Sequence, residues 1–265
     1  MRSLLRISFI CFATVFAVLS ISAQPEKQAK TLPFAPGETL TYEGKISRFA
    51  ISVSIADVVF SVEQVPDSAN YRIKSKATSK GTLLNLFRFS FLQEYESIVD
   101  FSNQRIIRST KHDVQKERIR DSVADFDYAQ KRVTFVETDP NDANRPPRRI
   151  ASKIDEPMYD LISAIYSIRT LPLAVGKKFD VAMSDSGLVY EVPVRVTKRE
   201  QQKTIFGKVW CWRVEPAIFG YGRLIEQKGS MIIWITDDDR KMPVRSQINT
   251  TYGKVDVRLK SHSKN

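Results

Sequence analysis

Few residues in this chain could do chemistry, and their spacing matches no catalytic or metal-binding pattern. The 265 residues include two histidines. His112 lies in the highly charged stretch RSTKHDVQKER, and His262 lies close to the C-terminal end, where order is least expected. A Ser-His-Asp triad through His112 would need distant partners, and no G-x-S-x-G segment marks one. Asp237-Asp238-Asp239 lacks the spaced oxygen ligands and closing glutamate of a calcium loop, and reads as a hairpin turn. One cysteine beyond the leader described below and two separated histidines cannot close a zinc site. The expectation is therefore no catalytic residue, no metal and no cofactor. Cys211 stands between Trp210 and Trp212. On a strand the tryptophans share one face, and the thiol takes the other with Arg213 as a small buried hydrophobe.

Binding chemistry is better represented. Residues 81–92, GTLLNLFRFSFL, hold seven Leu or Phe among twelve, with Arg88 as the only charge. A strand that buries one face needs half as many apolar side chains, so the excess implies burial on both faces or a lid over a ligand. Leu83, Leu84, Leu86, Phe87 and Phe89 are candidate ligand-binding residues, together with Trp212 and Trp234. With Trp210, Phe60 and Tyr190, the tryptophans would line the interior of a curled sheet. Basic residues gather at Arg105, Arg108, Lys111, Lys116, Arg118 and Arg120, and again at Arg145, Arg148, Arg149 and Lys153. Period-two placement puts several of them on a solvated face open to a polyanion.

The N-terminus bounds the compartment. Arg2 and Arg6, the uncharged run Ile7–Ile21 and the small residues Ser22 and Ala23 follow the order of a secretory signal peptide, expected over residues 1–23. The apolar run falls short of the ~20 residues needed to span a bilayer. Cys11 leaves with the leader, so no intramolecular disulfide is expected. The net charge of +11 stays strongly positive without Arg2 and Arg6. Export makes nucleic acid an unexpected partner and favours anionic head groups or other envelope polyanions. The expected location is the periplasm or cell envelope, peripheral to a membrane at most.

The elements that must position these residues are mostly strands. Residues 24–37 are polar and proline-bearing, and read as a flexible lead-in to one β-rich domain over 38–262. Ile51, Val53 and Ile55 alternate with small residues, and the phase then slips to Val58, Phe60 and Val62, which requires a bulge or tight turn at Ala56-Asp57. Tyr190, Val192, Val194 and Val196 alternate, as do Val255, Val257 and Leu259. Hairpin turns are expected at Pro66–Ser68, Ser102-Asn103, Asp185–Gly187, Gly207, Asp237–Asp239 and Tyr252-Gly253. Asp155 as N-cap and Pro157 in the first turn predict a single helix over about 157–169, with Leu161, Ile162, Ile165, Tyr166 and Ile168 at helical spacing. It separates β-regions 38–151 and 173–262. The fold expected is mainly β: a single twisted antiparallel sheet, curled into a barrel or half-barrel, with one packed helix.

Three stretches, LPFAPGETLTYEGKIS, YDLISAIYSIRTLPLAVGKKF and GSMIIWITDDDRKMPVRSQI, occur in this order. Their most specific pieces are Pro36-Gly37-Glu38 with Tyr42, Tyr166 and Arg169 before Leu171-Pro172-Leu173, and Trp234–Asp238 with Arg240, Pro243 and Val244. In this order the chain resembles the bacterial exported proteins of the domain of unknown function 3108 family, over nearly all of the mature sequence. The resemblance implies an envelope protein with a barrel-like antiparallel fold, and no established activity.

The leading functional expectation is a non-catalytic envelope protein that binds a lipid-like or amphipathic ligand in the curled sheet. The alternatives are an envelope assembly or protein-interaction factor with a filled core, and a hydrolase with an unrecognised site. An enclosed cavity above ~300 Å³ would favour the first. A filled interior would favour the second, and clustered carboxylates of perturbed acidity in a cleft the third. If residues 81–92 form a lid, Leu84→Ser with Phe87→Ser leaves the melting temperature nearly unchanged and abolishes binding of a fluorescent fatty-acid-like probe. Unfolding of that variant, seen by circular dichroism, would place the segment in the core instead.

Overall fold

A computed structural model describes residues 31–48, 51–81, 90–251 and 253–264. The expected leader and residues 83–89 lie outside the described residues. The strands are β1 (Glu38–Arg48), β2 (Ile51–Gln64), β3 (Tyr71–Ser79), β4 (Phe91–Asp100), β5 (Arg105–Gln115), β6 (Arg118–Asp127), β7 (Arg132–Thr138) and β8 (Arg148–Lys153). After helix α1 (Leu161–Arg169) come β9 (Lys178–Asp185), β10 (Leu188–Thr204), β11 (Gly207–Pro216), β12 (Gly229–Thr236), β13 (Pro243–Thr250) and β14 (Gly253–Lys264). All 14 strands form one antiparallel sheet in the order β8-β7-β6-β5-β4-β3-β2-β1-β14-β13-β12-β11-β10-β9. It is two meanders joined where β1 pairs β14. The edge strands β8 and β9 do not pair, so the sheet curls without closing.

The turn chemistry acts as read: each expected turn falls between two adjacent antiparallel strands, with Tyr252 of the last outside the described residues. Gly187 is required twice over. Its φ of +79° suits glycine, and a Cβ there would come within 2.6 Å of the Phe135 Cβ. That contact, and a 2.6 Å hydrogen bond from Ser152 Oγ to the Gly187 carbonyl, brings the β9–β10 turn against β7 and β8.

Three expectations need correction. The bulge in β2 is one residue earlier than expected. Gly44 faces Ala56 and Lys45 faces Ser54, so Ile55 is the extra residue. The helix starts at Leu161 with Asp160 as its cap, while Asp155 lies upstream in the connection from β8, outside the helix. Asp160 wins the role because its side chain accepts from the Ser163 N–H while Ser163 Oγ accepts from the Asp160 N–H, a reciprocal box that Asp155 cannot make. The lead-in is also not loose throughout. Phe34 is buried and meets Tyr71, Phe101 and Tyr166 edge-on, and Gly37 N–H donates to Val62 O.

The core has three clusters. The largest packs α1, through Ile162, Tyr166 and Ile168, on Val62, Ile73 and Val99 and on the valine run of β10. A second joins Leu40, Tyr42 and Leu259 to Cys211, Trp234, Met242 and Val244. A third, with Ile106, Val133 and Phe135, is covered by Ile154 and Met158 as the chain leaves β8.

Charge also sits inside. Arg169, fully buried, donates from Nη1 to Glu38 Oε1 at 2.5 Å and from Nη2 to Glu38 Oε2, the Pro33 carbonyl and the Arg240 carbonyl, each at 3.0 Å. Its guanidinium lies 5.0 Å from the Phe34 ring centre and 5.3 Å from that of Tyr166. Breaking a buried pair by removing one partner leaves an uncompensated charge. Glu38→Ala is therefore expected to lower stability by ~3–5 kcal/mol, read as a shift of the denaturant midpoint at unchanged slope. A loss near zero would mean that the guanidinium is solvated in the folded protein.

Candidate functional site

The face of β2–β7 turned away from α1 carries a concavity of about 600 Å³. Side chains alternate along strands. Ser97 points to the helix side, where its Oγ donates to the Asp160 carboxylate at 2.5 Å. Glu94 and Glu96 therefore take the other face. The register sets two rows across that face. In one, Val59, Lys76, Glu94, His112, Asp121 and Thr138 stand opposite one another from strand to strand; in the next stand Ser61, Lys74, Glu96, Thr110, Val123 and Val136.

The charges of this groove are balanced internally. Lys76 Nζ is 2.7 Å from Glu94, Lys74 Nζ 2.9 Å from Glu63, Arg72 Nε 2.9 Å from Glu96, and His112 Nδ1 2.5 Å from Asp121. Each such exposed pair contributes ~0–1 kcal/mol to stability. Together they leave alkyl stems and Val59, Val123 and Val136 as the surface a ligand would meet. The arrangement suits a flat or extended amphipathic molecule. The basic cluster expected to face a polyanion is largely ion-paired as well: Arg105 with Asp100, Arg108 with Asp125, Arg118 with Asp113, and Arg120 with Asp139.

On the helix side lies a polar pocket. Burial raises the Asp160 carboxyl above its ordinary range, opposed by hydrogen bonds from Ser163 and Ser97. The space beside it is about 30 Å³, lined also by Ser109, Lys111, Ser122 and Ser184. That is room for one water, and the buried Ser184 Oγ has no hydrogen-bond partner among the described residues. Among the described residues, no three His, Cys, Asp or Glu side chains gather where they could hold a metal ion.

The structure separates the residues picked from sequence. Leu83, Leu84, Leu86, Phe87 and Phe89 lie outside the described residues. Trp212 pairs with Ile235 and packs on the largest cluster; Trp234 pairs with Arg213 and belongs to the second. Neighbouring strand positions face opposite ways, so these tryptophans do not line one interior. Trp234 is tied down, with Nε1 donating to Glu200 at 2.5 Å and the Arg245 guanidinium 4.7 Å from its ring centre. Trp210 is half exposed under Arg199. Cys211 is buried opposite the two flanking tryptophans, and burial, then Asp238, Asp237 and Glu200, push its thiol up to about 12.

What sequence reasoning missed as a site is the meeting of the three stretches quoted above. Glu38 and Arg169 pair; Tyr42 Oη donates to the Pro243 carbonyl at 2.7 Å; Arg169 reaches the Arg240 carbonyl; and Lys241 Nζ donates to the Leu171 carbonyl at 2.7 Å. The signal was a charged residue on the apolar face of a helix, which calls for a partner of opposite charge.

Two outcomes follow. A thiol reagent should leave Cys211 unmodified in native protein at pH 8 and modify it fully in denaturant; rapid native labelling would show an exposed thiol. Trp234→Ala should cost ~3–5 kcal/mol, as for a large core aromatic, and a loss within error would contradict its place in the second cluster.

Comparison with known proteins agrees with the architecture. A β-barrel-like protein of domain of unknown function DUF1849 from Brucella abortus superposes with a TM-score of 0.57 at 10% identity, covering 86% of this chain and 97% of that one. At that identity the likeness is one of fold. No curated protein matches the chain. The model of the family described as protein of unknown function DUF3108 matches residues 39–260, which takes in Tyr42, Tyr166, Arg169, Trp234 and Pro243. The chain belongs to the DUF3108 family.

Proposed function

We propose that this chain is an exported, non-catalytic cell-envelope protein that works as an interaction or assembly module, contacting other proteins through the outside of its sheet. The observation that carries this reading is the filled interior. Among the described residues, Tyr166 and Arg169 of α1, almost wholly inaccessible, take up space enclosed by the curled sheet, and the gap beside Asp160 has room for about one water. A barrel that stores a ligand needs ~300 Å³ or more inside. The sequence pI of about 9.6 adds attraction for acidic partners. Among the described residues no helix is long and apolar enough to cross a membrane.

The groove on β2–β7 favours a second reading, in which an amphipathic ligand lies on the outer face above Val59, Val123 and Val136. Native mass spectrometry of protein purified from its own envelope separates the two. A bound polypeptide supports the interaction module, a lipid-sized adduct supports the groove ligand, and neither adduct in a folded sample argues against both.

A further inference from the structure

The two edges of the sheet are treated differently. On β9 the chain covers its own edge: Tyr159 N–H donates to Ala182 O at 3.0 Å, and Ser184 N–H donates to Tyr159 O at 2.8 Å. Among the described residues β8 has no strand beyond it; the β9–β10 turn meets it only at Ser152 and Ile150, the residues that bond inward. Its backbone orientation follows from one hydrogen bond and the register. Ile154 N–H donates to Lys131 O, and the pairs continue as Arg132 with Lys153 and Val133 with Ser152. Antiparallel pairs alternate between hydrogen-bonded and non-hydrogen-bonded. Ser152, Ile150 and Arg148 thus bond inward to β7. Arg149, Ala151 and Lys153 turn N–H and C=O outward, and these groups have no partner among the described residues. All three residues are exposed.

We propose that this edge of β8 is a docking site for an extended acidic segment of a partner protein, which adds as a further strand. The proposal rests on the interaction-module reading and names its site. Backbone groups of Arg149, Ala151 and Lys153 supply the ladder. The side chains of Arg149 and Lys153 flank Ala151 on one face, with Arg132 beside Lys153 on the neighbouring strand. Lys153 has Asp155 2.7 Å away, but both side chains are well exposed and free to exchange partners. Carboxylates at alternate positions of an incoming strand would stand over Arg149 and Lys153. A second copy of this chain fits badly. Antiparallel pairing about Ala151 would set Arg149 of one copy against Lys153 of the other, twice, and like charges directly opposite are destabilising.

The probe is a blocked synthetic octapeptide that alternates Glu with Thr, added to the full mature chain; its counterpart alternates Lys with Thr. The Glu peptide is expected to slow amide hydrogen exchange at Arg149, Ala151 and Lys153, and the Lys peptide to bind at least tenfold more weakly. Ala151→Pro removes the central outward N–H without removing a bond to β7, and should weaken the Glu peptide at least tenfold. Arg149→Glu with Lys153→Glu should reverse the preference between the peptides, which keeps the test open if the proline variant does not fold. Binding without slowed exchange at these amides, equal binding to folded Ala151→Pro, or no binding to the wild type would each overturn the proposal. A wild-type dimer that Ala151→Pro dissociates would replace the acidic partner with a second copy. If the peptide fails while a polypeptide still co-purifies with the mature chain, the edge is wrong and the interaction reading stands.

Discussion

The fold turns on an arginine with nowhere to go. Arg169 ends a helix on the side that packs against the sheet, so its guanidinium must find its partners inside the protein. Glu38 at the start of β1 supplies the charge, and the Pro33 and Arg240 carbonyls take further donors. Three parts of the chain, far apart in sequence, are held at one point: the entry to the first strand, the end of the helix and the β12–β13 turn. A buried pair adds little net stability over well-packed apolar residues, but one partner cannot be lost cheaply. Its contribution here is geometric, because this placement of the helix satisfies the carboxylate and both carbonyls at once.

That placement decides what the rest of the molecule can offer. With the helix seated against β3, β4 and β9, the space beside Asp160 among the described residues is that of about one water, and the proposed interaction falls to the outer face and the edges. The outer face is unusual in being so evenly neutralised. Lys74, Lys76 and Arg72 each meet a glutamate one strand away, and His112 meets Asp121. The chain's excess positive charge is therefore not expressed there, and on the β8 edge Arg149 is exposed with no ion pair among the described residues.

Much of the β-architecture was legible because its signals are local. A turn residue and a change in alternation lie within a few positions of each other, as at Asp185–Gly187, and the slip after Ile55 appears in the sequence as a change of phase. The helix was legible from its apolar spacing, but its first residue was not. Asp155 and Asp160 are both acceptable caps in isolation; Ser163 completes a box with Asp160 alone, and Ser97 on a distant strand adds a further bond to it that the local sequence does not show. The tryptophans misled for a similar reason. Size and apolarity mark Trp212 and Trp234 as interior, while the face each takes depends on the pairing of β11 with β12, a non-local property. The Arg169 knot and the open edge at β8 belong to the same class, since each is defined by what another part of the chain does or leaves undone.

The junction of β1 with β14 has a consequence for the order of assembly. Glu38 pairs with Lys264, so the seam between the two meanders closes only when β14 is available. Each meander can zip from its own hairpins, with short loops and little entropy to overcome, but the step that unites them is the most non-local in the protein and the slowest to find. Until then both halves expose an unpaired edge, and the Glu38 carboxylate waits beside the seam. A chain that folds as it emerges from its N-terminus would therefore have its first meander shaped before β14 appears, and its sheet is completed only when β14 pairs with β1.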